Sequence, residues 1–204
     1  MPGRNIYKDY VPESYYHVYN RGVASEIIFR DDQDYSVFLS LLKRYLGSET
    51  SKNSLGIEYP SYRDEMELLT FCLMPSHFHM LIYQYDQDAM RQLLKSVSVA
   101  YSMHFNKKYK RFGPLFQQRY RASLISNDSY LLHISRYIHL NPDNYTSWEW
   151  SSLPYYLNKY QADWIMPARI LELFEGDNYL GFLDEYKDRR DELNEIKHEL
   201  ANQS

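Results

Sequence analysis

Residues 73–83 read LMPSHFHMLIY, and inside this apolar run His77 and His79 stand one residue apart. An imidazole is costly to bury without a partner. Two of them therefore need either hydrogen bonds within the fold or a ligand held in common. In an extended strand, residues i and i+2 leave from the same face. His77 and His79 then sit beside Leu81 and Tyr83, while Phe78, Met80 and Ile82 turn the other way. Two neighbouring imidazoles on a strand can bind one divalent cation with no loop to organise them. The plainer alternative is a pair of hydrogen-bonded core histidines. The setting favours the cation, because Pro75-Ser76 makes a corner just ahead of the pair and apolar residues flank it.

A cation wants further ligands. Tyr137 and Asn141 lie four apart in YLLHISRYIHLNP and share a helix face, whereas His139 falls on roughly the opposite side. Read plainly, Tyr137 is a core aromatic and Asn141 a helix-ending residue before Pro142. A second feature is basic. Residues 91–127 hold eight Lys or Arg and no acid, where the chain's average, 27 acids in 204 residues, predicts about five. Within it, NKKYKRFGPLFQQRYR interleaves cations with aromatics, a composition suited to phosphates and unpaired bases. The candidates for DNA contact are Lys107, Lys108, Lys110, Arg111, Arg119, Tyr120 and Arg121, with Arg21 and Arg136 weaker. Six such bases on phosphates would make log affinity fall with log salt at a slope of about −4 for single strands. The plain reading is a solvated helix end followed by an ordinary strand.

The elements that must position these groups follow from periodicity and turn chemistry. YYHVYNRG (15–22) alternates as a strand. Residues 31–46 form a helix with acids in its first turn and Phe38, Leu41, Leu42 and Tyr45 on one side. Strands are expected at 66–74 and 77–84, a long amphipathic helix at 86–109, an extended segment at 113–125 and a helix at 126–142 ending at Pro142. The order β-α-β-β-α-β is that of the split βαβ, an α+β ferredoxin-like antiparallel sheet with helices on one face, followed by one more helix. Further helices are expected near 168–175 and 178–200.

Totals bound the rest. A chain of 204 residues with 44% hydrophobic and 25% charged residues fits one globular body with a terminal extension. No apolar run is long enough to span a bilayer, and the N-terminal residues lack an apolar signal region. Cys72 is the only cysteine, which excludes an intrachain disulfide and suits the cytoplasm. The net charge of −4 divides into −6 over residues 161–204 and +2 over residues 1–160.

Three separated motifs, His-hydrophobe-His after MP, GPLFQQRYRASLI and YLLHISRYIHLNP, together with YNRG in the first strand and WSS after the late helix, resemble the HUH single-tyrosine transposases. The pattern is most similar to the REP-associated tyrosine transposases, relatives of small insertion-sequence transposases. The resemblance covers residues 14–160. It implies a transposase domain over 1–160 and an acidic helical extension over 161–204 with no counterpart. It also implies that His77 and His79 bind a divalent metal, Mg²⁺ or Mn²⁺, that Tyr137 is the nucleophile, and that Asn141 completes the metal site. The implied activity is nicking and rejoining of single-stranded or hairpin DNA through a 5′-phosphotyrosine, by a protein without a membrane partner and more monomeric than dimeric. Two other classes share these residues: a metal-dependent hydrolase in which Tyr137 only packs, and a non-catalytic nucleic-acid-binding module. The acidic extension either covers the basic groove as a mimic of DNA or packs on the sheet.

Overall fold

The computed structural model describes residues 10–174 and 178–186. Four strands, β1 (Ser14–Arg21), β2 (Met66–Met74), β3 (His77–Gln84) and β4 (Arg121–Ile125), form one antiparallel sheet in the order β2-β3-β1-β4. Helices α1 (Asp32–Leu46) and α2 (Ala89–Tyr109) follow β1 and β3. This is the expected split βαβ arrangement. Phe78, Met80 and Ile82 of β3 join Phe38, Leu42, Leu93, Val97 and Tyr101 in one core, so α1 and α2 cover that face. Helix α3 (Asp128–His139) covers the other, where Leu131, Ile134 and Ile138 pack with Cys72 and Leu81. None of the helices among the described residues is long and apolar enough to cross a membrane.

The β2–β3 corner is fixed from outside the hairpin. Pro75 lends its carbonyl oxygen to the backbone N–H groups of Ile28 and Phe29, and Ser76 accepts from Gly22 N–H at 2.9 Å. Gly22 must be glycine here, since a β-carbon would lie 2.2 Å from the Glu26 carbonyl oxygen. The YNRG motif thus locks the end of β1 to the turn that introduces His77.

The outer edge of β2 is covered too. Leu73 N–H donates to the Trp150 carbonyl and Ser152 N–H to that of Phe71, so the WSS segment pairs along the strand. Covering an edge removes a row of free backbone groups. After it come α4 (Leu153–Tyr156), α5 (Ala168–Leu173) and α6 (Tyr179–Asp184). Trp164 and Ile165 enter the first core; Ile170, Tyr179 and Leu183 enter the second. The described part of the extension is therefore packed into the body, on β2 and α3. The helix expected over 178–200 is present as Tyr179–Asp184, and residues 187–200 lie outside the described residues. Residues 113–120, expected as strand, are irregular, with one bridge between Phe116 and Gly22; Gly113 at φ +90 and Pro114 break the pairing.

Candidate active site

The face under α3 carries three rows of side chains across the strands. Met74, His77 and Arg21 are register partners in the first row; Cys72, His79, Tyr19 and Arg121 in the second; Thr70, Leu81, His17 and Ser123 in the third. Partners on a pleated sheet share a face. Arg21 and Arg121 therefore flank the histidine pair on the side away from β2. The Arg121 guanidinium donates to the Tyr19 hydroxyl at 3.4 Å, and Arg21 Nε donates to the Gln117 side chain.

Tyr137 reaches this face because α3 is anchored at both ends. Asn127 accepts from Tyr130 N–H at 2.8 Å as the N-terminal cap. At the far end Leu140 N–H donates back to the Arg136 carbonyl, and Pro142 prevents another turn. With Leu131, Ile134 and Ile138 on the sheet, Tyr137 projects edge-on to both His79 and His17, ring centroids 5.2 and 5.9 Å apart. It is only 4% exposed. Burial pushes its phenol well above the usual value of 10, opposed by a hydrogen bond with Asn141.

Asn141, one turn beyond Tyr137, places Oδ1 3.1 Å from His77 Nε2. The other ring nitrogen, Nδ1, lies 3.2 Å from Ser76 Oγ. His79 Nδ1 lies 3.0 Å from His17 Nε2. Among the described residues no three His, Cys, Asp or Glu side chains converge, so a cation here would rely on the Asn141 amide as its third ligand. The donor set fits one. Two ligand atoms at right angles around an ion bound at 2.0–2.2 Å sit about 3 Å apart, the separation of His77 Nε2 and Asn141 Oδ1. In each histidine Nδ1 is engaged by a neighbour, so Nε2 is the nitrogen that would face a cation.

His17 is the residue that sequence reasoning passed over. It is fully buried, and desolvation pushes its pKa down to about 3, so the ring is neutral. The available signal was parity: Tyr15, His17 and Tyr19 alternate with the core residues Tyr16 and Val18.

The basic candidates divide. Lys107 and Lys110 are exposed near the end of α2, with Phe112 beside them 94% exposed. Arg119 and Tyr120 line a groove against α2 with Arg91 and Lys95, and Tyr120 stacks on Tyr10. Lys108 is instead bound to Asp31 and the buried Asp34 at 2.6 and 2.8 Å, and Arg111 to Glu26 at 2.8 Å. Both are neutralised internally. Arg136 is buried between Phe182 and Tyr186, its guanidinium carbon 3.5 and 3.9 Å from their ring centroids. It faces the extension rather than the histidines. His139, as expected, points the opposite way, to the Tyr179 hydroxyl and Ser152 Oγ.

Comparison with known proteins finds one family model that matches part of the chain. Residues 54–141 match the family model described as "Transposase IS200 like", a span that contains both histidines, Tyr137 and Asn141. A solved structure of the REP-associated tyrosine transposase bound to a REP hairpin superposes with a TM-score of 0.52 at 15% identity, over 77% of this chain and 88% of that one, a likeness of fold. A crystal structure of a candidate transposase from Deinococcus radiodurans R1 aligns at 17% identity over 68% of this chain and 95% of that one, with a TM-score of 0.40. No curated protein matches the sequence.

Proposed function

We propose that this chain, similar over residues 54–141 to the IS200-like transposases, is a transposase that nicks and rejoins single-stranded or hairpin DNA, with Tyr137 as the nucleophile. The observation that carries this reading is the meeting of Tyr137 with His77, His79 and Asn141 on one sheet face, within one chain. The hairpin substrate is suggested by the REP hairpin bound to the structural neighbour.

A phosphodiester resists attack because its anionic oxygens repel a nucleophile. A divalent cation, Mg²⁺ or Mn²⁺, held by His77, His79 and Asn141 would offset that charge as a Lewis acid. All three ligands are neutral, so they would leave the ion's positive charge undiminished for the phosphate. Arg21 and Arg121 flank the same face and would orient the strand. Tyr137 Oη attacks phosphorus and gives up its proton to solvent; the bond from phosphorus to the 3′ oxygen breaks, and that oxygen takes a proton from solvent to leave as a free 3′-OH. The 5′ end stays on the tyrosine. A phenolate leaves far better than an alkoxide, so the 3′-OH of this or another strand can reverse the step without nucleotide hydrolysis.

The burial of Tyr137 favours one rival, a hydrolase in which the phenol merely packs and water attacks. Labelled hairpin DNA incubated with Mn²⁺ separates them. The transferase gives a protein–DNA adduct that survives SDS and is lost in Tyr137→Phe. Hydrolysis products without an adduct, undiminished in Tyr137→Phe, would establish the hydrolase.

A further inference from the structure

His17 has no evident structural reason to be histidine. It sits in the middle of β1, wholly buried, where its neighbours on the strand are apolar or aromatic. One ring nitrogen, Nδ1, has no hydrogen-bond partner among the described residues. The other, among the described residues, meets His79 alone. For stability alone, an apolar side chain of similar size would serve better, because it would bury no unsatisfied polar atom.

The contact with His79 is well formed. The ring centroids are 5.1 Å apart, the planes differ by 15° and the nitrogens are 3.0 Å apart. Those values are met together when the rings lie side by side in nearly one plane, with N–H directed at a lone pair. Each neutral imidazole carries a single N–H, so the contact admits two proton arrangements. In one, His17 Nε2–H donates to His79 Nδ1, and the His79 proton must sit on Nε2, which blocks that atom as a ligand. In the other, His79 Nδ1–H donates to His17 Nε2, and Nε2 of His79 is left with a lone pair.

We infer that His17 is a positioning residue for the metal site: by accepting the Nδ1 proton of His79 it fixes the ring's orientation and leaves the Nε2 lone pair for a divalent cation. The inference rests on the metal-binding reading of His77, His79 and Asn141. Histidine ligands are commonly oriented by a hydrogen bond from the non-ligating nitrogen, and loss of that partner typically weakens metal affinity 10- to 100-fold. Here the partner is a second histidine from the neighbouring strand, insulated from solvent on every side.

Titration calorimetry of the full chain with Mn²⁺ alone tests this, comparing wild type, His77→Ala, His17→Phe and His17→Gln. Wild type binds and His77→Ala does not. His17→Phe, which removes the acceptor, weakens Mn²⁺ binding about 10- to 100-fold, while its metal-free melting temperature stays at or above that of wild type. His17→Gln, whose amide oxygen can accept the same proton, recovers affinity to within about threefold. Wild-type affinity in His17→Phe alongside lost binding in His77→Ala would overturn the inference and leave the metal reading intact. So would a lowered melting temperature in His17→Phe with no recovery in His17→Gln, which marks a packing role. Absence of Mn²⁺ binding in wild type, or its persistence in His77→Ala, would overturn the metal reading and the inference with it.

Discussion

His77 Nε2 and Asn141 Oδ1 lie 3.1 Å apart, although 64 residues of chain separate them. One comes from the hairpin of the sheet and the other from the last turn after α3. Tyr137 lies one turn earlier, on α3, so under the proposed mechanism one helix would deliver both the nucleophile and a ligand. That coupling gives the amide a testable chemical consequence.

Asn141→Asp keeps the size of the side chain and adds a negative charge. Coulomb attraction then strengthens cation binding, while the ion's pull on a phosphate weakens. The expected result is Mn²⁺ affinity raised several-fold in calorimetry with DNA cleavage slowed about tenfold or more. Asn141→Ala should lose both.

Among the cations, the neighbours Lys107 and Lys108 stand in opposite settings, one exposed and one paired with acids. Lys108 neutralises Asp34, a carboxylate with no exposed surface that otherwise accepts from Arg30 N–H and the Tyr109 hydroxyl. Lys108→Ala should therefore lower stability by on the order of 1 kcal/mol, measured by urea unfolding, with little change in DNA affinity. Lys107→Ala should leave stability unchanged and weaken DNA binding. If Arg21, Lys107, Lys110, Arg119 and Arg121 contact phosphates, the salt dependence of log affinity for single strands has a slope of about −3.5. A slope near zero would remove these residues from the interface.

The buried histidines set a pH dependence of stability. Desolvation holds His139 at about 3, against an ordinary value of 6.5, and His17 likewise. Below pH 6.5 the unfolded chain takes up protons that the folded chain refuses until about pH 3. Stability is therefore fully present above pH 6.5 and declines as pH falls, by up to about 1.4 kcal/mol per pH unit for each histidine. Urea midpoints measured with chelator between pH 7 and 5 should fall. His139→Gln should show a shallower decline than wild type; an identical slope would mean that His139 is not buried as a neutral ring.

Removing residues 161–204 should unfold the protein rather than expose a DNA groove. Trp164, Ile165, Ile170, Tyr179 and Leu183 are all buried, and each contributes about 1.5–3 kcal/mol, together comparable with the whole stability of a domain. Circular dichroism and solubility of the truncated chain check this. A soluble, folded truncation with raised DNA affinity would restore the mimic idea.

Much of this was legible in the sequence where the signal is local. The β2 and β3 limits, 66–74 and 77–84, follow from two buried apolar runs broken by Pro75-Ser76. Helix α2 begins at Ala89 rather than residue 86 because the Asp86 carboxylate accepts from Asp88 N–H and holds a turn there. What pattern could not give was contact between distant strands. His17 looks like any residue of an alternating strand until β3 is laid beside it. Lys108 and Arg111 look available until α1 and the turn after β1 bring Asp31, Asp34 and Glu26 to them. The acid excess of the extension masks, in the sequence, the apolar residues that pack it against α3 and β2.

The most direct test of the central claim is where the DNA becomes attached. After reaction with hairpin DNA and Mn²⁺, nuclease trimming and trypsin, which cuts after Arg136, the peptide beginning at Tyr137 should be recovered. Fragment-ion mass spectrometry should place a 5′-phosphonucleotide on Tyr137, although Tyr145, Tyr155 and Tyr156 share that peptide. Attachment to any other residue, or cleaved DNA with no modified peptide, would contradict the account.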